Sequence, residues 1–262
     1  MAKYVGKDER EKAFMQKFDI LTGGGKRNPW EVWKDMVRMF AIAISNAVDM
    51  RYKDEREREY LTIIGKYDKD EQQVFPELFA MLVDVIDGSG NYRDFLGELF
   101  MKLEINSKGA GQYFTPYNIA KLMAHMSIDA DKAKEKIEER GYITVLEPSC
   151  GAGATLIGAA EALYEAGINY QRHAIFVGQD KDGDVALMCY IQLSLLGCAG
   201  YVVIGDTLAE PTTAHSLFGE NASRCWCTPM FFSHRFNYLR RMLKERGESK
   251  TEGKKAEQLS MF

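Results

Sequence analysis

The sequence predicts an α/β protein in which a helical N-terminal part precedes a sheet built from parallel strands. Three observations predict it. After about residue 110 the short apolar runs YITVLE, HAIFVGQD and YVVIGD alternate with the helical stretches ATLIGAAEALYEAG and DVALMCYIQLSLLG, as expected of parallel strands joined by crossover helices. Glu147, Asp180 and Asp206 stand at the ends of three successive runs, and strand carboxyl ends are where such sheets bind ligands. A turn containing two glycines, within LEPSCGAGATL over 146–156, joins the first run to the helix after it.

In the first hundred residues, NPWEVWKDMVRMFAIAISNAVD carries Asn28 as a plausible N-cap, Pro29 at the first helical position and Glu31 where a capping-box carboxylate would sit. Trp33, Val37, Phe40 and Ile44 follow at helical spacing and read as a core stripe. DEREREYLTIIGKY, EQQVFPELFAMLVDVID and YRDFLGELFMKLEI read as further helices, the first with a charged, solvated face. No repeat with a period of 20 to 50 residues is visible. The expected organisation is a helical domain over 1–109, an α/β domain over 110–247, and a flexible charged tail over 248–262.

Composition narrows the function classes. A chain of 262 residues with 46% hydrophobic content can bury a substantial core. It has no run of ~18 apolar residues, and MAKYVGKDEREKAF lacks the apolar centre of a signal peptide, so no membrane partner and a cytoplasmic location are expected. The five cysteines are an odd number that fits reduced thiols. Cys225 and Cys227 are separated by one residue, closer than zinc-ligand spacings, and no metal is expected. A net charge of -4 argues against a chain wrapped in nucleic acid while leaving room for a local basic face, for which HRFNYLRRMLKER is the candidate; its other reading is a solvated helix face.

The glycine turn admits several ligands by pattern alone. A Walker-type phosphate loop needs Gly-Lys-Ser/Thr, and GAGATL has no lysine. A dinucleotide fingerprint wants a glycine where Leu156 stands. A tight strand-to-helix turn without any ligand is the third possibility.

Four motifs in order weigh against the ligand-free turn and the dinucleotide reading. GQYFTP at 111–116, LEPSCGAGATL, GQDKD at 178–182 and GDTL at 205–208 resemble, in their order, the modification subunit of type I restriction systems, within the N-6 adenine-specific DNA methylases. The resemblance covers roughly residues 70–232 and implies a Rossmann-like S-adenosylmethionine-dependent methyltransferase sheet with a helical domain ahead of it. It further implies that the turn, from Pro148 through Gly151 and Gly153, receives the methionine carboxylate on backbone amides while Glu147 orients the ammonium. Asp180 would accept the ribose hydroxyls, Asp206 the adenine amine, and Phe114 and Thr115 would close over the cofactor; alone, these last two also read as a core aromatic and a helix cap.

The family next has Asn-Pro-Pro-Phe/Tyr, whose asparagine oxygen and proline carbonyl accept the hydrogens of the target amine while the flipped adenine stacks on the aromatic. The candidate here is RCWCTPMFF over 224–232, with Thr228, Pro229 and Phe231 as catalytic residues and Met230 in place of the second proline. Replacing an oriented acceptor by a threonine hydroxyl is expected to cost on the order of 10²- to 10³-fold. The sheet is also expected to be shortened after Phe232, where the resemblance implies three further strands and a target-recognition element. The expected function is therefore adenine-N6 DNA methylation, inefficient or dependent on a separate target-recognition subunit. The alternative is a cofactor-binding regulatory subunit without chemistry. Finally, QLSMF at 258–262 resembles the pentapeptide by which bacterial replication and repair proteins bind the sliding clamp, with Gln258, Leu259, Met261 and Phe262 as contacts.

Overall fold

The computed structural model describes residues 9–87, 92–106, 114–212, 217 and 222–245. The N-terminal part contains α1 (Glu9–Thr22), α2 (Pro29–Asn46), α3 (Lys53–Ile64), α4 (Lys69–Asp87) and α5 (Phe95–Asn106). There follow α6 (Tyr117–Ser127), α7 (Ala130–Arg140), β1 (Ile143–Glu147), α8 (Ala154–Glu165), the single turn α9 (Tyr170–His173), β2 (Ala174–Asp180), α10 (Gly183–Leu195), β3 (Ala199–Ile204) and β4 (Cys225–Cys227). Residues 237–245 are helical. The QLSMF segment, the charged stretch before it and Gly111 to Tyr113 of the GQYFTP motif lie outside the described residues.

Local chemistry explains the helix that the sequence marks most clearly. The Asn28 side chain accepts a hydrogen bond from the Trp30 N–H at 3.0 Å, and Pro29 occupies the first turn of α2, where its missing N–H costs nothing. Trp33, Val37, Phe40 and Ile44 are all buried, as their spacing predicts. At the end of α7 the αL residue Gly141 lets the chain turn into β1.

The sheet order is β1-β2-β3-β4, with β1 parallel to β2 and β2 parallel to β3, while β4 runs antiparallel to β3. Side chains of β2 alternate between two apolar clusters. Phe176 faces a core that extends through α1, α2, α4, α5, α8 and α10. Ile175 and Val177 face a second cluster with Tyr201, Val203, Phe231, Phe236 and Leu239. The first cluster runs without a break from Phe14 to Trp226, so the compositional change near residue 110 does not divide the core, and α2 packs directly on α10. The outer side of β1 has no partner strand among the described residues.

β4 is fixed by a charged knot beneath the N-terminal helices. Asp49 is 1% exposed and pairs with Arg51 at 2.8 Å and with Arg56 at 3.7 Å. The Arg56 guanidinium lies 3.9 Å from the Trp226 ring centroid and donates to the Cys225 carbonyl at 3.4 Å, while Arg51 reaches the Cys227 sulfur at 3.4 Å. Arginine donors thus reach a backbone carbonyl on the outermost strand, where a neighbouring strand would otherwise bond. Asp49→Ala should lower the unfolding free energy by about 3 to 5 kcal/mol, because it leaves buried cationic charge uncompensated, and urea unfolding of the two proteins measures it.

Candidate functional site at the carboxyl edge of the sheet

The turn after β1 is built from small residues held on three sides. Gly151 and Gly153 have φ of 54° and 106°, the left-handed region that favours glycine. The Gly151 N–H donates to Asp180 Oδ2 at 2.9 Å, and the Cys150 N–H donates to the Gln179 carbonyl at 2.9 Å, so the turn is pinned to the end of β2. Opposite, a Cβ at Gly153 would lie 3.0 Å from the Cys189 sulfur of α10. α8 then begins at Ala154, its first amides aimed toward the turn.

The carboxylates gather around this turn. Glu147 ends β1 and accepts from the Ser149 N–H at 3.2 Å. Asp180 ends β2, and its other oxygen accepts from the Asp182 N–H at 3.0 Å. Each Asp180 oxygen keeps a lone pair for a further donor. Asp206 follows β3, is exposed, and accepts from the Leu208 N–H at 2.9 Å. Thr207 donates to the Pro148 carbonyl and so ties the loop after β3 to the turn after β1. Phe114 stacks on Phe100 of α5, with ring centroids 5.2 Å apart, and its ring edge is 3.5 Å from where a Gly151 Cβ would stand. Thr115 is exposed two residues before α6, whose N-cap position is Pro116 rather than Thr115. The fold therefore brings Glu147, Pro148, Gly151, Gly153, Asp180 and Asp206 to one edge, with Phe114 against the turn.

It does not bring Thr228, Pro229 and Phe231 there. Because β4 is antiparallel to β3, Cys227 pairs with Tyr201, and Thr228 continues toward the amino end of β3. Its Oγ1 donates to the Cys198 carbonyl at 2.7 Å and accepts from the Gly200 N–H at 3.0 Å. From Gly200 to Asp206 is six residues, about 20 Å along an extended strand. Phe231 is buried beside Tyr201 in the second apolar cluster. Of the basic segment, Arg235 donates to the Arg172 carbonyl, and Arg240 to the carbonyls of Phe231 and Ser233, which gives both guanidinium groups structural partners.

Residues that were assigned no role from the sequence complete the edge. Gln179, 1% exposed, donates to the Glu210 carbonyl at 2.8 Å and accepts from the Thr212 N–H at 2.9 Å, which folds the loop after β3 back onto β2. Gln192 and Asp94 are buried behind the turn. The signal available for Gln179 was its place in GQDKD, and for Gln192 a polar residue inside an otherwise apolar run.

A sheet whose first three strands are parallel, with a glycine turn after the first and acidic residues after each of the three, defines the class of Rossmann-like α/β proteins. Within that class the chain belongs to the N-6 DNA methylase family, whose family model matches residues 92–238, more than half of its length. It is 27% identical over 116 residues to the type I restriction enzyme MjaIX methylase subunit of Methanocaldococcus jannaschii, over 44% of this chain and 18% of that protein. It is 30% identical over 104 residues to the MjaVIII methylase subunit of the same organism, over 38% of this chain and 15% of that one. The type II methyltransferase M.MamI of Microbacterium ammoniaphilum is 25% identical over 151 residues, 54% of this chain and 41% of that protein. The chain thus spans less than half the length of each of these relatives. The solved methyltransferase subunit of a type I restriction-modification system from Streptococcus thermophilus aligns with a TM-score of 0.38 at 19% identity, over 80% of this chain and 42% of that chain. No helix among the described residues is long and apolar enough to cross a membrane.

The carboxyl behind the turn carries a pH signature. Burial pushes the Asp94 carboxyl up to about 6, against the hydrogen bonds from Gln192 and Gly97 that favour its ionised form; Glu98 adds to the rise and Arg93 opposes it. A carboxyl whose folded pKa exceeds its unfolded value of about 4 binds its proton more tightly in the folded chain. Stability from this group is therefore fully present below about pH 4 and is lost as pH rises to about 6. Asp94→Asn should remove that fall, on the order of 3 kcal/mol, from urea unfolding measured between about pH 4 and 7.

Proposed function

We propose that the chain binds S-adenosylmethionine at the turn from Cys150 to Gly153 and forms the cofactor-holding part of an adenine-N6 DNA methyltransferase. The observation that carries this reading is the convergence of Glu147, the two-glycine turn and Asp180 at one sheet edge, in a chain of the N-6 DNA methylase family. The site has the donors and acceptors such a cofactor needs. Amides at the start of α8 suit a carboxylate, Glu147 an ammonium, the Asp180 lone pairs a ribose diol, and Asp206 an exocyclic amine. Phe114 and Thr115 close the cofactor side nearest α6. The bound cofactor would supply an electrophilic methyl group; the chain's part is to orient it and to exclude water from that face.

Methyl transfer to an adenine amine also needs an acceptor for the amine hydrogens beside the methyl group. Thr228 is committed to the amino end of β3, which supports a methyltransferase that takes this acceptor, and its target recognition, from residues other than those described here or from a partner subunit. The same observation favours the second reading, a cofactor-binding regulatory subunit that performs no transfer. Calorimetry of the purified chain should give micromolar affinity for S-adenosylmethionine, about -8 kcal/mol, and Asp180→Ala should weaken it by roughly 1 to 3 kcal/mol. Absence of binding by the unaltered chain would sink both readings. With labelled cofactor and genomic DNA, the chain alone should form little N6-methyladenine, and Thr228→Asn with Met230→Pro should not raise it; methylation restored by a co-purified partner separates the first reading from the second.

We further propose that Gln258, Leu259, Met261 and Phe262 attach the chain to a bacterial sliding clamp, on the support of the QLSMF pattern alone. A peptide of residues 250–262 should bind purified clamp at micromolar affinity and lose that binding when Leu259 and Phe262 are both changed to alanine. Equal binding by the two peptides rejects the tether.

A further inference from the structure

The Gln192 side chain, wholly buried on α10, joins three parts of the chain that are distant in sequence. Its Nε2 donates to Asp94 Oδ1 at 2.7 Å and to the Ala152 carbonyl at 2.9 Å, and its Oε1 accepts from the Leu96 N–H at 3.1 Å. The neighbours dictate this orientation, because a carbonyl can only accept and a backbone N–H can only donate. Ala152 is the residue between the two left-handed glycines, so the bond lands on the middle of the turn.

Asp94, 3% exposed, is fixed in its own right. Its Oδ1 accepts from the Gly97 N–H at 3.0 Å in the first turn of α5, and a Cβ at Gly97 would stand 2.1 Å from Oδ2. Glycine there is what lets the carboxylate lie across the helix start. α5 reaches the turn a second time through the stack of Phe100 on Phe114. Gln192, Asp94, Gly97 and Phe100 have no role in the cofactor contacts proposed above. A two-glycine turn left to itself samples many conformations, and a ligand that needs one of them loses affinity in selecting it.

We propose that Gln192 and Asp94 are positioning residues that hold the Ala152 carbonyl, and with it the amides of the glycine turn, in the one arrangement able to receive the cofactor. The part of this that concerns the cofactor rests on the reading that the turn binds S-adenosylmethionine; the part that concerns the turn does not. Gln192 acts through the backbone of Ala152, and Asp94 acts through Gln192.

The test uses the full chain and two readouts: hydrogen exchange of the amides over residues 150–155 without ligand, and calorimetric affinity for S-adenosylhomocysteine. Gln192→Leu should speed exchange at the turn by roughly tenfold or more while the amides of α2 keep their protection, and should weaken the ligand by about tenfold. Asp94→Ala removes the acceptor for Gln192 and the cap on Gly97 and should speed exchange at the turn in the same sense; unchanged exchange there in a folded Asp94→Ala chain overturns the part assigned to Asp94. If Gln192→Leu does not fold, Gln192→Asn decides by the same criteria, since its side chain is one methylene too short to reach Asp94 and Ala152 together. Unchanged exchange at the turn in a folded Gln192 variant overturns the proposal, as does faster exchange with full retention of affinity. If the unaltered chain binds no ligand, the proposed function fails and the exchange rates alone decide whether these residues hold the turn.

Discussion

Parallel pairing of β1, β2 and β3 is the constraint on which the rest of the structure depends. A parallel strand can be reached only by a crossover, so α8 with α9, and then α10, each carry the chain back to the amino end of the sheet. These three strands then end on the same edge. Glu147, Asp180 and Asp206, 33 and 26 residues apart in the chain, become neighbours for that reason, and the turn after β1 opens among them. The short range of the pinning bonds, Gly151 to Asp180 and Cys150 to Gln179, follows from the register that sets Glu147 beside Gly178.

Reversal of one strand has the opposite effect. β4 enters the sheet antiparallel to β3, and whatever follows it is delivered to the amino edge. Thr228 there prolongs the pairing of β4 with β3: its hydroxyl and its amide bond to the backbone of Cys198 and Gly200, just past the last paired residue, Cys227. A threonine in this place is a sheet-terminating residue, and the aromatic after it fills the second apolar cluster. The same reversal sets Trp226 and the carbonyl of Cys225 against Arg56, so the N-terminal helices guard the edge that β4 creates.

α10 connects these arrangements. From Val185 to Leu193 every residue is buried, and it touches α2 on one side and β2 and β3 on another. A helix enclosed in this way has no solvent for a polar side chain, so the Gln192 amide must find all its partners within the protein. It finds them in the glycine turn and in α5, which gives the helical N-terminal part a direct hold on the candidate site.

The sequence by itself determined the helical N-terminal part and the alternation of three strands with helices, while α7 and β4 were not read from it. The capped stripe of α2, the three apolar runs and the glycine turn are local patterns, set by dihedral preference and by the periodicity of burial within a few residues, and the structure follows them. It also determined the family, since four motifs in a fixed order do not depend on contacts. Only the tertiary structure decided where the ends of β4 lie, because strand direction is set by pairing with a partner, and a CWCTP segment reads the same in either direction. Only the structure decided, too, that Gln192 and Asp94 lie behind the glycine turn. Gln192 reaches residues 40 and 98 positions away through its hydrogen bonds, and no pattern along the chain carries that information.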